Sequence, residues 1–105
     1  MPDDLLITNN EAEQRHEVNV DGVTAYSLYE IADGTMVIRH VEVPERIGGR
    51  GIGSALARHA LEDARARSLR VVPHCPFVRD FVVQHRAEYI ELIDPAYRAR
   101  LEASG

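Results

Sequence analysis

Apolar residues alternate with polar ones through the first part of the chain and recur at helical spacing in the second. In "HEVNV", His16, Val18 and Val20 fall on one side, the two-residue repeat of a half-buried strand. Asp21-Gly22 then reads as a tight hairpin turn, and "VTAYSLYEI" as the return strand. A second turn at "ADG" leads into "TMVIRHVEV". Strict alternation in this third strand puts Met36, Ile38, His40 and Glu42 on one face and Val37, Arg39, Val41 and Val43 on the other. Pro44 ends it. Residues 1 to 14 are polar and without period, and read as a loose leader.

Beyond residue 51 the period lengthens. Ile52, Leu56, Ala57, Ala60, Leu61 and Ala64 share one half of a helix about 16 residues long, with Ser54, Arg58, Glu62 and Arg65 opposite. "SLRVVPHC" supplies a short apolar strand, which after a strand-helix path should lie parallel to the third. Cys75 then caps a second helix with Pro76 at its first position, where a missing N–H costs nothing. Phe77, Val78, Phe81 and Val82 form its apolar stripe. "RAEYIELI" continues helically or as an irregular turn, and "DPAYRARLEASG" repeats the start signal for a last short helix. The expected fold is one α/β domain over residues 1–105: an antiparallel three-stranded meander, one parallel strand, and helices packed on the sheet.

Between the third strand and the first helix stands "RIGGRGIG", with four glycines and two arginines. A bend needs one or two glycines. The excess leaves backbone N–H groups unshielded at a helix start, where the dipole is most positive and an anion such as phosphate is held by the main chain. A plain flexible turn is the alternative. A P-loop would need lysine and then Ser or Thr after the last glycine, but Ser54 and Ala55 follow Gly53. A dinucleotide fingerprint would need a third glycine where "GRGIGS" has serine, and a parallel crossover before it.

Composition narrows the partners. The chain is 45% hydrophobic and 28% charged, a globular balance. A formal net charge of −5 argues against nucleic acid. The three arginines at 46, 50 and 58 against one acid, Glu45, suggest a local site for a small anion. No apolar run approaches the ~18 residues of a membrane span, and the N-terminus lacks signal-peptide character, so neither a membrane partner nor any place but the cytoplasm is expected. The lone Cys75 cannot form an intrachain disulfide, and the five histidines contain no i, i+4 pair, so no metal is expected.

The window "GGRGIG", residues 48–53, resembles the acetyl-CoA loop of the GNAT acetyltransferase superfamily, Arg/Gln-x-x-Gly-x-Gly/Ala between an antiparallel strand and a long helix. Gly51 and Gly53 match, and Gly48 occupies the Arg/Gln slot. With "RHVEVP" before it and "HCPFV" after it, the likeness extends over most of residues 16 to 93 and is similar to the short, minimal N-acetyltransferase-like branch. The resemblance implies acetyl-CoA as acyl donor, its diphosphate on Arg46, Gly48, Gly49, Arg50, Gly51, Ile52, Gly53 and Ser54. It also implies a pantetheine arm inserted where the third and fourth strands splay, pairing near Val41 to Val43. The acceptor is an amine of unidentified kind, on a small molecule or exposed on a protein, at an open site, and the protein is expected to act as a monomer.

The same resemblance points to His40 and Cys75 as the active pair. His40 suits a general base, with an ordinary pKa near ~6.5. Cys75, at a helix start that favours thiolate, could instead carry the acetyl group covalently. His40 as an ordinary strand residue and Cys75 as core filler are the structural alternatives. Tyr26, Tyr29, Tyr89 and Tyr97 read as packed rings with satisfied hydroxyls. Three functions stay open on sequence: an N-acetyltransferase, a module that binds CoA or acetyl-CoA with little or no turnover, and an interaction domain in which the glycines only turn the chain.

Overall fold

The computed structural model describes residues 5–104. Its frame is a five-stranded mixed sheet in the order β1-β2-β3-β4-β5. β1 (Thr8–Asn10), β2 (Arg15–Val20), β3 (Val23–Ala32) and β4 (Thr35–Glu42) run antiparallel in sequence order, and β5 (Arg70–Pro73) joins β4 in parallel. Both predicted hairpins form. Asp21-Gly22 and Asp33-Gly34 each hold two successive residues at positive φ, 52° and 78° in the first and 51° and 76° in the second, the geometry that matches the twist of the flanking strands.

Two features depart from the sequence pattern. The meander has a fourth antiparallel strand, β1, inside the segment expected to be a loose leader: Thr8, Asn9 and Asn10 pair with Glu17, His16 and Arg15. Three polar residues give no alternation to read. The strand is pinned by tertiary contact, the Tyr29 hydroxyl donating to Asn9 Oδ1 at 2.6 Å. The first residues of that segment, 1–4, lie outside the described structure.

The second departure is a β-bulge. Leu28 pairs with His40 but Tyr29 pairs with Ile38, so Arg39 is the extra residue. One inserted residue reverses the facing of everything after it. Met36 and Ile38 point to the core as expected, but His40 and Glu42 do not share their face; Val41 and Val43 pack there instead.

The helices cover that core face. α1 (Ile52–Ala66) makes the crossover from β4 to β5 and buries all six residues of its predicted stripe. α2 (Pro76–Gln84) follows β5 with Cys75 at its N-cap, as the Cys-Pro signal predicts, and sets Val78, Phe81 and Val82 against the same core. A short α3 (Arg86–Tyr89) and a 3-10 turn (Ile90–Leu92) lead to Ile93, which bridges Val71 in parallel and covers the free edge of β5. α4 (Pro95–Ser104) starts at Asp94, whose Oδ1 accepts from the amide of Ala96 at 3.0 Å. The other sheet face carries half-buried Tyr26, Leu28, Val37 and Val72 and no helix among the described residues. No helix of the described residues is long and apolar enough to cross a membrane.

Candidate functional site

The glycine loop is anchored at both ends and open between them. Pro44 leads into a single 3-10 turn, Glu45–Ile47, with Ile47 buried at one end of the loop and Ile52 at the other. Both isoleucines pack with Val18, Ala25 and Leu56. Gly49 and Gly51 lie at φ 76° and 74°, a left-handed conformation that a side chain would strain. Gly51 is the N-cap of α1, and the first hydrogen bond of the helix runs from the Ala55 amide to its carbonyl at 3.0 Å. Among the described residues no acceptor takes the amides from Gly49 to Ser54. The Gly48 amide is the exception in the predicted set: it donates to Glu45 O at 3.1 Å.

These amides border a groove of about 280 Å³ lined by Val43, Ile52, Ser54, Phe77 and the loop glycines. Gly53 is there for a packing reason: a Cβ on it would meet the Phe77 ring at 3.0 Å. Phe77 closes the groove from α2 and keeps 44% of its surface exposed. Helix N-terminal amides without an acceptor among the described residues, with the positive end of the dipole behind them, are an arrangement that can hold an anion, and the wall beside them is apolar.

The arginines separate. Arg50 pairs with Asp21 of the first hairpin turn at 2.7 Å. Arg58 is drawn away to Glu88 at 2.9 Å and the Tyr89 hydroxyl at 2.8 Å, and those contacts, led by Glu88, raise its pKa. Arg46 has no side-chain partner among the described residues. The three-arginine patch expected from sequence therefore reduces, beside the loop, to one uncommitted guanidinium.

The two expected catalytic residues sit on opposite faces of the sheet. β4 and β5 pair from Thr35–Arg70 to Ile38–Pro73, and the Cys75 amide makes the last link, to Ile38 O at 3.1 Å. β5 ends at Pro73, and among the described residues no strand pairs the β5-facing edge of β4 along Arg39–Glu42. Cys75 has its side chain in the core, 4% exposed. His40, turned over by the bulge, lies on the open face with its side chain 52% exposed and Nε2 2.9 Å from Glu42 Oε1. A carboxylate only accepts, so Nε2 is the donor, and Nδ1 has no partner among the described residues. Three of the four tyrosine hydroxyls are engaged: Tyr29 on Asn9, Tyr89 on Glu62 and Tyr97 on Pro73 O.

A second polar cluster, not anticipated from sequence, ties the flank of α1 to the sheet. His16, wholly buried, donates from Nε2 to Asp63 Oδ2 at 2.9 Å, and Arg67 brackets the same carboxylate at 3.0 and 3.1 Å. His59 meets the His16 ring edge-on at 5.2 Å. Burial lowers the His16 pKa against the pull of Asp63, and the buried Nδ1 has no partner among the described residues. Burial pulls the Asp63 carboxyl upward, but hydrogen bonds from His16 and Arg67 outweigh it and leave its pKa low. Further along, the buried Tyr89 hydroxyl donates to Glu62 at 2.7 Å and accepts from Arg58, and desolvation with the Glu62 contact pushes its pKa up to about 12. Alternation placed His16 on one face with Val18 and Val20, but only the fold reveals that this face is buried and that Asp63, 47 positions away, answers it.

Three comparisons bear on this arrangement. The sequence profile of the GCN5-related N-acetyltransferases matches residues 15–92. Protein NATD1 of Bos taurus is 34% identical over 95 residues, 87% of this chain and 84% of its own, and its Xenopus tropicalis counterpart is 25% identical with 87% of each chain covered. A GCN5-like protein from Staphylococcus aureus, solved in solution by NMR, shares the fold with a TM-score of 0.65 at 24% identity, over 90% of this chain and 91% of its own.

Proposed function

The chain belongs to the GCN5-related N-acetyltransferase family, and on that footing we propose that it binds acetyl-CoA along the groove at the start of α1 and transfers the acetyl group to an amine presented at the open face of the sheet. One observation carries this reading: the amides of Gly49 to Ser54 have no acceptor among the described residues and border a groove whose remaining wall is apolar. Anionic diphosphate fits the first and an uncharged pantetheine arm the second.

Each residue then has a stated task. The amides of Ile52, Gly53 and Ser54, with Arg46, hold negative charge at the helix start. Val43 and Phe77 enclose the arm, and the unpaired edge of β4 around Val41 offers it backbone hydrogen bonds. When bound, acetyl-CoA supplies a thioester whose carbonyl carbon accepts an amine nitrogen as the carbon–sulfur bond breaks. His40 Nδ1 takes the proton from the amine, and Glu42 holds the imidazole in the tautomer that permits it. Cys75 follows the end of β5 with its side chain in the core. Its burial favours direct transfer over an acetyl-cysteine, because a covalent route needs the sulfur exposed to the thioester.

Calorimetry with CoA, followed by turnover assays with acetyl-CoA and an amine panel, tests this. His40→Ala should lower kcat about 100-fold with little change in CoA affinity, and Cys75→Ala should retain turnover. Absence of any binding heat would defeat the CoA reading. Acetylated protein in intact mass spectra that disappears in Cys75→Ala, together with loss of turnover, would replace the direct route by the covalent one.

A further inference from the structure

Between α2 and α4 lies a small pocket of about 100 Å³ lined by Arg79, Tyr97, Arg100 and Leu101, with no residue in common with the groove at the start of α1. We propose that it is a binding site for a small oxyanion, a carboxylate or phosphate group held by the Arg79 guanidinium. The site stands independently of the CoA reading.

Arg79 is fixed in place without being neutralised. Its Nε donates to the Tyr97 hydroxyl at 3.1 Å and its Nη2 to His74 O at 3.2 Å. The Tyr97 hydroxyl spends its one proton on Pro73 O at 3.1 Å, so towards the guanidinium it can only accept. These bonds hold the half-buried Arg79 in one orientation and leave its Nη1 without an acceptor among the described residues. Arg15, Arg39, Arg50, Arg58, Arg65 and Arg67 each reach a carboxylate. Arg79 reaches none among the described residues. A charge taken partly out of water and met only by neutral dipoles is best compensated by an anion.

Size and lining set the ligand class. The pocket is far below the ~300–1,000 Å³ usual for a whole drug-sized ligand, so it takes a single charged group. Its second cation, Arg100, lies over the Tyr97 ring at 5.2 Å from the centroid. No acid is among the described residues that line it, although the chain as a whole carries a formal charge of −5. A planar guanidinium matches two oxygens of a carboxylate or phosphate at once, which a spherical ion such as chloride cannot reproduce. The pocket also adjoins the end of β5: the Arg79 amide donates to Cys75 O at 2.9 Å, and its side chain holds the carbonyl of His74. Two sources can supply such a group there, a free anion or the acidic group of an amine acceptor.

The test follows the backbone amide resonances of residues 79, 97 and 100 by NMR as inorganic phosphate or acetate is added to the whole chain, with chloride at matched ionic strength as the control. Phosphate and acetate should shift them saturably with a Kd of about 1–10 mM, and chloride should not. Arg79→Gln should abolish the response at 97 and 100, and Arg79→Lys, which keeps the charge and loses the fork, should weaken it about tenfold. Arg86→Gln, an exposed arginine of α3, should leave it unchanged, and circular dichroism checks each fold. Equal responses to phosphate and chloride, or a response unaltered in Arg79→Gln and Arg79→Lys, would overturn the site. Turnover of acetyl-CoA with an amino acid and with its amide separates the sources. A KM that rises in Arg79→Lys for the acid alone assigns the site to the acceptor, and unmoved KM values beside a positive titration assign it to a free anion. Failure of CoA to bind would remove the CoA reading and leave the titration, and this inference, intact.

Discussion

The two ends of α1 are treated in opposite ways. At its start, neither the main-chain donors from Gly49 to Ser54 nor Arg46 has a partner among the described residues, and Phe77 stands half-exposed across the groove. Further along the same helix, Arg58, Glu62, Asp63, Arg65 and Arg67 all have partners, in or around a buried histidine and a buried tyrosine. Burying polar groups is favourable only when they are paired, and the second region satisfies that condition with hydrogen bonds reaching β2 and α3. The first region leaves polar groups unpaired where water or a ligand can reach them. A helix clamped along its length can hold its opening turn still, so the amides of that turn keep their aim without a ligand.

Substitutions can separate the two regions. The largest effect should come from Gly51→Val. A β-branched residue at φ 74° strains the N-cap and places methyl groups beside the loop amides, so CoA binding measured by calorimetry should fall by more than about 100-fold, with only a modest fall in Tm. If affinity survives, the diphosphate is not on this turn.

The converse change is Asp63→Ala. It strands the Nε2–H of wholly buried His16 and should cost roughly 1–3 kcal/mol in urea unfolding, with CoA affinity within about twofold of the parent. A large loss of affinity at unchanged stability would mean that the cluster takes part in binding.

Acidification should act on the same region. The folded His16 pKa lies below the unfolded value near ~6.5, so the unfolded chain takes up the proton first. Stability should hold above about pH 6.5 and fall as the pH drops below it through the folded pKa. Asp63, also lowered in the fold, adds a second loss below about pH 4. Urea midpoints across this range test the sign, and His16→Gln should flatten the first step. A parent protein that gains stability on going from pH 7 to 5.5 would contradict it.

The finest discrimination is between the two loop arginines. Arg46→Ala should weaken CoA binding by about five- to tenfold, as expected for one charge-assisted contact. Arg50→Ala, which removes an exposed pair with Asp21, should change it by less than about twofold. The reverse order would mean that CoA draws Arg50 off Asp21.

Local order was readable residue by residue. The six-residue stripe of α1, the two Asp-Gly hairpins, the Cys75-Pro76 helix start and the position of the glycine loop all follow from spacing and turn chemistry, which are properties of neighbours in the chain. β1 was not readable, because Thr8, Asn9 and Asn10 have no apolar face and depend on β2 and Tyr29 to hold them. The facing of His40 was misjudged for a different reason. Alternation carries a strand's facing forward only while every residue pairs, and the extra residue at Arg39 is a property of the match between β3 and β4.

By itself, then, the amino-acid sequence determined the main elements other than β1, their order, the glycine-rich turn before α1 and the family resemblance. Tertiary structure alone decided which arginine stays uncommitted, that Gly48 spends its amide on Glu45, that His40 and Cys75 lie on opposite faces of the sheet, and that Asp63 answers His16. Periodicity and turn preference act over a few residues, so a chain displays them directly. A hydrogen bond across 47 positions, or a strand turned over by one unpaired residue, exists only once distant segments have met.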